Sequence, residues 1–425
     1  MEKVRKTKII PCADDTPFME IMKGESDFDV RRAVERLREG LFDPVAVRLL
    51  TAHEERLKAE AERGSRSVHD GGSAHLCLVG SYGQGKSHSL VYMEDLALRE
   101  GFAVSLVNLD PREVPFHFFR EVYRELMAHL TLPDTDAPFP VVWTDWLREQ
   151  IADGADSAEA VLGLLPETMP YLFKSVLAAM ARGGNVSLTG RERRMKKQAA
   201  FRPREIPQLL ARALSGEAVP IPRLRNALKY REIPLARGTA LSCRGQEAFL
   251  GVAESFSCLL RSMGYRGWVL LFDEGEAITQ TRSTLARSRS YRLLHRMFGL
   301  ADSGPSCIYP VFAFTDDFLR KVREEDYELM MFRGEDEIPF FERDYAREWK
   351  HLNIYRLLDL STGEWEDLSR KLLCLHARAY GWSPPEERLI GEMKKRLDSL
   401  GTQETRLKLK ALVDCLDLAH QEQVL

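Results

Sequence analysis

The stretch Gly80-Ser81-Tyr82-Gly83-Gln84-Gly85-Lys86-Ser87 constrains this chain more than any other feature, because it fits GxxxxGK[ST] in full. Glycines at these spacings let a backbone wrap closely around a phosphate without Cβ clashes. Successive N–H groups then converge on one concavity, and the following helix aims its positive end there. The context agrees. An apolar run, His75–Gly80, precedes the loop, and a helical pattern carried by Leu90, Met93, Leu96 and Ala97 follows it. Lys86 supplies a mobile cation for β- and γ-phosphates, and the Ser87 hydroxyl is placed to ligate Mg²⁺. The remaining loop residues, with His88, are expected to line the nucleotide.

A phosphate loop of this kind works with an acidic strand. Gly267-Trp268-Val269-Leu270-Leu271-Phe272-Asp273-Glu274 reads as one, with Asp273 at the carboxyl end of a buried strand. Asp273 is expected to organise Mg²⁺ through water, and Glu274 to polarise an attacking water. The Asp-Glu order favours hydrolysis over binding alone. Glu276 reads as a third acid that caps or contacts a neighbouring helix.

Further buried strands are expected at Phe102–Asp110 and Cys307–Thr315, with a shorter one at Leu352–Leu357. Strands alternating with helical stretches imply a parallel sheet with crossovers, an α/β fold. Residues 29–61 read as helix on Val30, Val34 and Leu37, and the Gly/Ser-rich residues 63–74 as a connector. The expected division is an N-terminal helical region 1–62, a core of 63–125 and 245–360, a helical, basic insertion 126–244, and a C-terminal all-α lid 361–425.

Charge is nearly balanced overall, but residues 182–244 hold 15 Lys and Arg against 4 acids, a local net of +11. Such a block implies an anionic partner or docking onto the chain's own acidic surface. Arg191, Arg193, Arg194, Lys196 and Lys197 are its densest part and the candidate contact to DNA. With Phe201 and Tyr230 as its only aromatics, base-stacking readout is not expected. No run approaches the ~20 apolar residues of a membrane span. The start of the chain has no apolar signal core, and the seven cysteines are scattered without a CxxC pair, which suits a reducing cytoplasm.

Three further sites each admit two readings. Thr315, at the tip of the strand expected between the loop strand and the acidic strand, is placed either to contact the γ-phosphate or attacking water, or to cap a helix. Arg289, Arg292 and Arg296 share a helical face. Arg292 and Arg296 are the candidate arginine fingers for a neighbouring subunit; the alternative is a solvated face paired with the acidic stretch 324–344. Arg406 opens the last helix, as a γ-phosphate sensor on a lid or as a surface arginine.

On these residues the chain resembles AAA+-type P-loop ATPases. More narrowly, it is similar to the ATP-binding proteins of bacterial BREX phage-defence systems, the BrxC/BrxD type. The resemblance rests on GSYGQGKSH, NLDPREVPFHFFREVYREL, LLFDEGEAI, ARSRSYRLLHRMF before AFTDDFL, and RLLDLSTGEWEDLSRKLLCLHARAYGW. It covers about residues 30–125 and 245–425, and departs at Thr402-Gln403-Glu404-Thr405-Arg406, which lacks the Pro-Arg pair common in AAA+ lids. It implies an ATPase in an antiviral defence operon, with a helicase or methyltransferase as partner. Taken with the residues above, the expectation is Mg²⁺-dependent ATP hydrolysis that drives a conformational cycle in a homo-oligomer on or near DNA. A nucleotide-gated switch that recruits partners with little turnover is the alternative.

Overall fold

The computed structural model describes residues 16–41, 43–52, 54–151, 158–182, 203–235, 241, 243, 245–300, 307–331, 344–402 and 404–424. Four helices lead in: α1 (Thr16–Gly24), α2 (Asp27–Glu39), α3 (Pro44–Leu50) and α4 (Glu54–His69). Strand β1 (Leu76–Val79) feeds α5 (Lys86–Arg99), and β2 (Ala103–Asn108) feeds α6 (Phe119–Ala128). A two-residue strand β3 (Leu130–Thr131) precedes α7 (Phe139–Gln150), α8 (Ala158–Leu164), α9 (Tyr171–Ala181), α10 (Ile206–Leu214), α11 (Ile221–Tyr230) and α12 (Gln246–Ser262). The chain then runs through β4 (Trp268–Asp273), α13 (Ala277–Gln280), α14 (Thr284–Met297), β5 (Ile308–Phe314), α15 (Asp317–Met331), α16 (Tyr345–Glu348) and β6 (Ile354–Arg356). It closes with α17 (Thr362–Tyr380), α18 (Glu386–Ser399) and α19 (Thr405–Val424).

The sheet order is β3-β2-β4-β5-β1-β6. All pairings are parallel except β2–β3, so the expected parallel sheet gains a short antiparallel edge. As the sequence implied, β5 lies between the loop strand β1 and the acidic strand β4. Alternation along each strand splits the core. Trp268, Leu270 and Phe272 face one layer, with Phe119, Trp143, Phe173 and Phe256. Val269 and Leu271 face the other, with Val47, Leu57, Leu90 and Met93. The described helices of 126–244 share the first of these cores with the sheet. The cluster Arg191, Arg193, Arg194, Lys196 and Lys197 lies outside the described residues.

The single helix expected over 29–61 is three helices. Gly40, at φ +71°, closes α2 in the left-handed region, and Asp43 caps α3 by accepting from the Val45 N–H at 2.9 Å. The connector expected at 63–74 is also corrected, because α4 continues through Arg63-Gly64-Ser65 to His69. A Cβ on Gly64 would overlap the Tyr309 ring, so the small residues there allow helix and sheet to approach rather than ending the helix.

A third cluster joins the two ends of the chain. Val30, Val34 and Leu37 of α2 pack with Leu372 and Leu375 of α17 and with Leu412 and Leu416 of α19. Among the described residues no helix is long and apolar enough to cross a membrane.

Candidate functional site

The turn from β1 into α5 has the backbone its glycines permit. Gly83 and Gly85 sit at φ +80° and +94°, a region that disfavours side-chain-bearing residues. Lys86 is only 8% exposed, and its Nζ donates to the carbonyls of Gly80 at 3.1 Å and Ser81 at 3.2 Å. Among the described residues no carboxylate lies within ion-pair distance of it. The loop is braced as well. The Ser81 N–H donates to Gln84 Oε1 at 2.6 Å, and Gln84 Nε2 donates to Asp359 at 2.7 Å.

A cavity of about 290 Å³ opens beside this turn. Tyr82, Gly83, Gln84, Gly85, Lys86, Ser87 and His88 all line it, as does Glu274 from the end of β4. Two expected ligands, Gly80 and Ser81, are not in the lining. They are tied to the neighbouring strand, with the Gly80 N–H donating to the Phe314 carbonyl at 3.2 Å and Ser81 Oγ donating to Asp316 at 2.8 Å. Tyr82 is 78% exposed at the loop tip.

Asp273 sits one residue behind Glu274, outside the lining. Its Oδ1 accepts the Glu274 N–H at 2.9 Å, and Glu274 itself is held at φ +55°. That backbone is costly for a non-glycine residue, and such strain is retained where surroundings over-determine it. Burial, then the nearby Glu276 and Asp273 carboxylates, push the Glu274 carboxyl up from its ordinary range, with Lys86 pulling the other way. Glu276 precedes α13 and makes no side-chain cap, so of the two roles expected of it, capping or contacting a neighbouring helix, the first does not hold; its charge bears instead on Glu274.

His88 joins the loop helix to the N-terminal segment, its Nε2 lying 2.9 Å from Thr51 Oγ1. Burial lowers its pKa to about 4, so the ring is neutral. The far wall is the part that the sequence did not disclose. Leu37, Val47 and Leu50 from the N-terminal helices, Leu357 beyond β6, and Leu409 of α19 give it an apolar surface. Arg406 lines it too, lying over Gly40 where a Cβ would come within 2.9 Å of its Nε. The Thr405 N–H donates to the Gly83 carbonyl at 3.3 Å, joining the last helix to the loop.

The remaining expected groups lie outside the lining. Thr315 is not among the lining residues, and its carbonyl accepts the Phe318 N–H at 3.1 Å in the first turn of α15. The group from the β5 tip that touches the loop is its neighbour Asp316, which also faces Arg356 at 3.6 Å. Arg296 is held by Glu254 of α12, with Nε at 3.1 Å from the carboxylate, so it is not presented as a free guanidinium. Arg292 is exposed on α14, away from the cavity lining. Arg287 on the same helix pairs with Glu325 at 2.5 Å, in keeping with the acidic-stretch reading.

The donors suit a hard cation. Ser87 is in the lining, and the second oxygen of Asp273 has no partner among the described residues. One hydroxyl and one carboxylate, with water and phosphate completing the shell, is the oxygen set that Mg²⁺ takes. No group of three or more His, Cys, Asp or Glu that would enclose a metal by protein atoms alone occurs among the described residues.

A family model described as BREX system ATP-binding protein BrxC/D matches residues 28–161 and 245–425. The match leaves out most of the insertion. No curated protein and no solved structure matches the chain.

Proposed function

The chain belongs to the family of BREX-system ATP-binding proteins of the BrxC/D type, and from that premise we propose that it is a Mg²⁺-dependent ATP hydrolase of the AAA+ kind, working within an anti-phage defence complex. One observation carries this reading: Lys86, Ser87 and Glu274 meet in a single cavity whose opposite wall is apolar. The loop amides and Lys86 grip the phosphates, leaving their present partners within the loop. The base of the nucleotide lies against Leu37, Val47 and Leu50. Ser87, and Asp273 through water, would hold Mg²⁺, which when bound would neutralise charge on the phosphoryl oxygens.

Glu274 is the general base. A water between it and the γ-phosphorus loses a proton to the carboxylate as its oxygen attacks, and the bond to the β–γ bridging oxygen breaks. A base with a raised pKa is better matched to this transfer near neutral pH than an ordinary carboxylate. Arg406 reaches the phosphates from the last helix and couples that helix to nucleotide state. A homo-oligomer supplies the trans cation, with Arg292 and Arg296 as its candidates. Arg191, Arg193, Arg194, Lys196 and Lys197 contact DNA phosphates, and a helicase or methyltransferase of the same system is the partner acted upon.

Steady-state turnover of ATP, with and without Mg²⁺ and duplex DNA, tests the proposal. Phosphate release that EDTA abolishes is expected. Tight nucleotide retention without turnover under every condition would overturn the hydrolase. That result would leave the nucleotide-gated switch.

A further inference from the structure

At the end of the sheet remote from the cavity, two thiols meet that no local sequence motif connects. Cys258 lies near the end of α12, and Cys307 immediately precedes β5. Their Sγ atoms are 3.8 Å apart, in contact, with the Cys258 thiol directed at Cys307. Arg261, three residues beyond Cys258, places Nη1 3.8 Å from the Cys307 sulfur. The guanidinium is itself anchored, because Nη2 donates to the His69 carbonyl at 2.6 Å. Cys307 is fixed from the other side, its carbonyl accepting the Trp268 N–H at 2.9 Å. Two sulfurs and a cation are thus held in register by α4, α12 and the β4–β5 pair.

The two sulfurs are unequal. The Cys258 S–H, and then Arg261, hold Cys307 below the ordinary thiol range against the opposing effect of burial. The same contact, followed by burial, pushes Cys258 up. Cys307 is 7% exposed, while Cys258 is half-buried and faces solvent in part. The other free thiols differ. Cys77, Cys243 and Cys415 are all pushed up, with burial the leading cause in each.

We propose that Cys258 and Cys307 form a dithiol oxidised by hydroperoxides, with Cys307 the attacking sulfur and Cys258 the resolving one. The Cys307 thiolate attacks one oxygen of hydrogen peroxide. An S–O bond forms, the O–O bond breaks, and the second oxygen leaves as hydroxide, which takes a proton to become water. Sulfur loses two electrons and the peroxide gains them. The Cys258 sulfur then attacks the sulfenic sulfur; the S–S bond forms, the S–O bond breaks, and a second water leaves with the Cys258 proton. The product ties α12 to the start of β5. Seven residues of β5 separate this pair from the cavity end of the strand, a span of about 20 Å, so oxidation and nucleotide binding are read independently.

The test treats the full-length protein with hydrogen peroxide and follows it by intact mass and peptide mapping. Loss of two hydrogens, with the Cys258 and Cys307 peptides joined and released again by dithiothreitol, is expected. In Cys258→Ser, dimedone should label Cys307 as the trapped sulfenic acid, and Cys258→Ala serves if the serine variant does not fold. Arg261→Gln should slow oxidation about fivefold and move its pH dependence upward, a shift that loss of the His69 anchor alone would not produce. Peptides that never join, or prior oxidation of Cys243 or Cys415, would overturn the assignment. So would the absence of a dimedone adduct at Cys307 in both Cys258 variants.

Discussion

The two walls of the cavity come from different kinds of chain. The sheet wall is made of contiguous stretches: the turn between β1 and α5, and the end of β4. Backbone geometry fixes it, through the positive φ of Gly83 and Gly85 and a register that sets Asn108 beside Asp273. The helical wall is assembled from α2 and α3 at one end of the sequence and α17 and α19 at the other. Side chains fix it. Arg38 Nε and Nη2 donate to the two oxygens of Asp417 at 2.7 and 2.8 Å. Asp417 also lies 3.0 Å from His376 Nε2, and the Trp382 Nε1–H donates to His376 Nδ1 at 3.0 Å. With Nδ1 accepting, Nε2–H is the donor to Asp417 and the buried ring is neutral; burial lowers its pKa in the same sense. Chemistry is placed by the wall that local sequence dictates, and the apolar surface by the wall that tertiary contact dictates.

The sharpest way to break that division is to exchange the consequences of mutation. Glu274→Gln should cut turnover by about 10²- to 10⁴-fold while fluorescent nucleotide still binds. Comparable turnover in the variant would remove Glu274, and with it the sheet wall, from the chemistry. Asp417→Asn acts on the other side. It removes an ionic acceptor shared by Arg38 and His376, and should lower stability by about 2 kcal/mol, read as a lower urea midpoint. Turnover at saturating ATP should change little, because no atom of that network reaches the cavity lining.

Arg406 tests whether the helical wall does more than fill space. Arg406→Ala should raise KM for ATP about tenfold, the value of one charge-assisted contact, with a smaller change in kcat. A KM that does not move would return Arg406 to the surface-arginine reading and leave only the apolar side chains facing the nucleotide.

The same contrast explains what the sequence disclosed. β1, β2, β4 and β5 are apolar runs closed by polar or glycine residues, and each was legible within a residue or two of its ends. The turn carrying Lys86 and the strand end carrying Glu274 were legible because spacing alone specifies them. The order that puts β5 between β1 and β4 came from reading the sheet as a P-loop sheet, because parallel pairing alone leaves the order open. What failed was whatever depended on partners far away in sequence. Gly64 reads as flexible until Tyr309 is seen against it. Leu37 reads as one more apolar position in a helix until Gly40 ends that helix and turns the chain back over the loop. At the β5 tip the sequence singled out Thr315, and only the fold shows that Ser81 Oγ meets its neighbour Asp316. Cys258 and Cys307 lie on different elements, so their spacing carried no signal.

The smallest effect is also the most local. Glu276 is 8% exposed, and its Oε2 has no hydrogen-bond partner among the described residues. Its charge, second to burial, raises the Glu274 carboxyl. A base with a raised pKa is protonated at a higher pH, so kcat/KM should fall on acidification before the ~4.3 of an ordinary glutamate is reached. Glu276→Gln removes one like charge and leaves burial in place. The acid limb should therefore move to lower pH, by less than about one unit. Asp417→Asn and Arg406→Ala should leave that limb where it is, because neither group is among the causes that raise Glu274. A limb that shifts with the helical-wall variants but not with Glu276→Gln would mean that the base is tuned across the cavity, and the division between the two walls would fail.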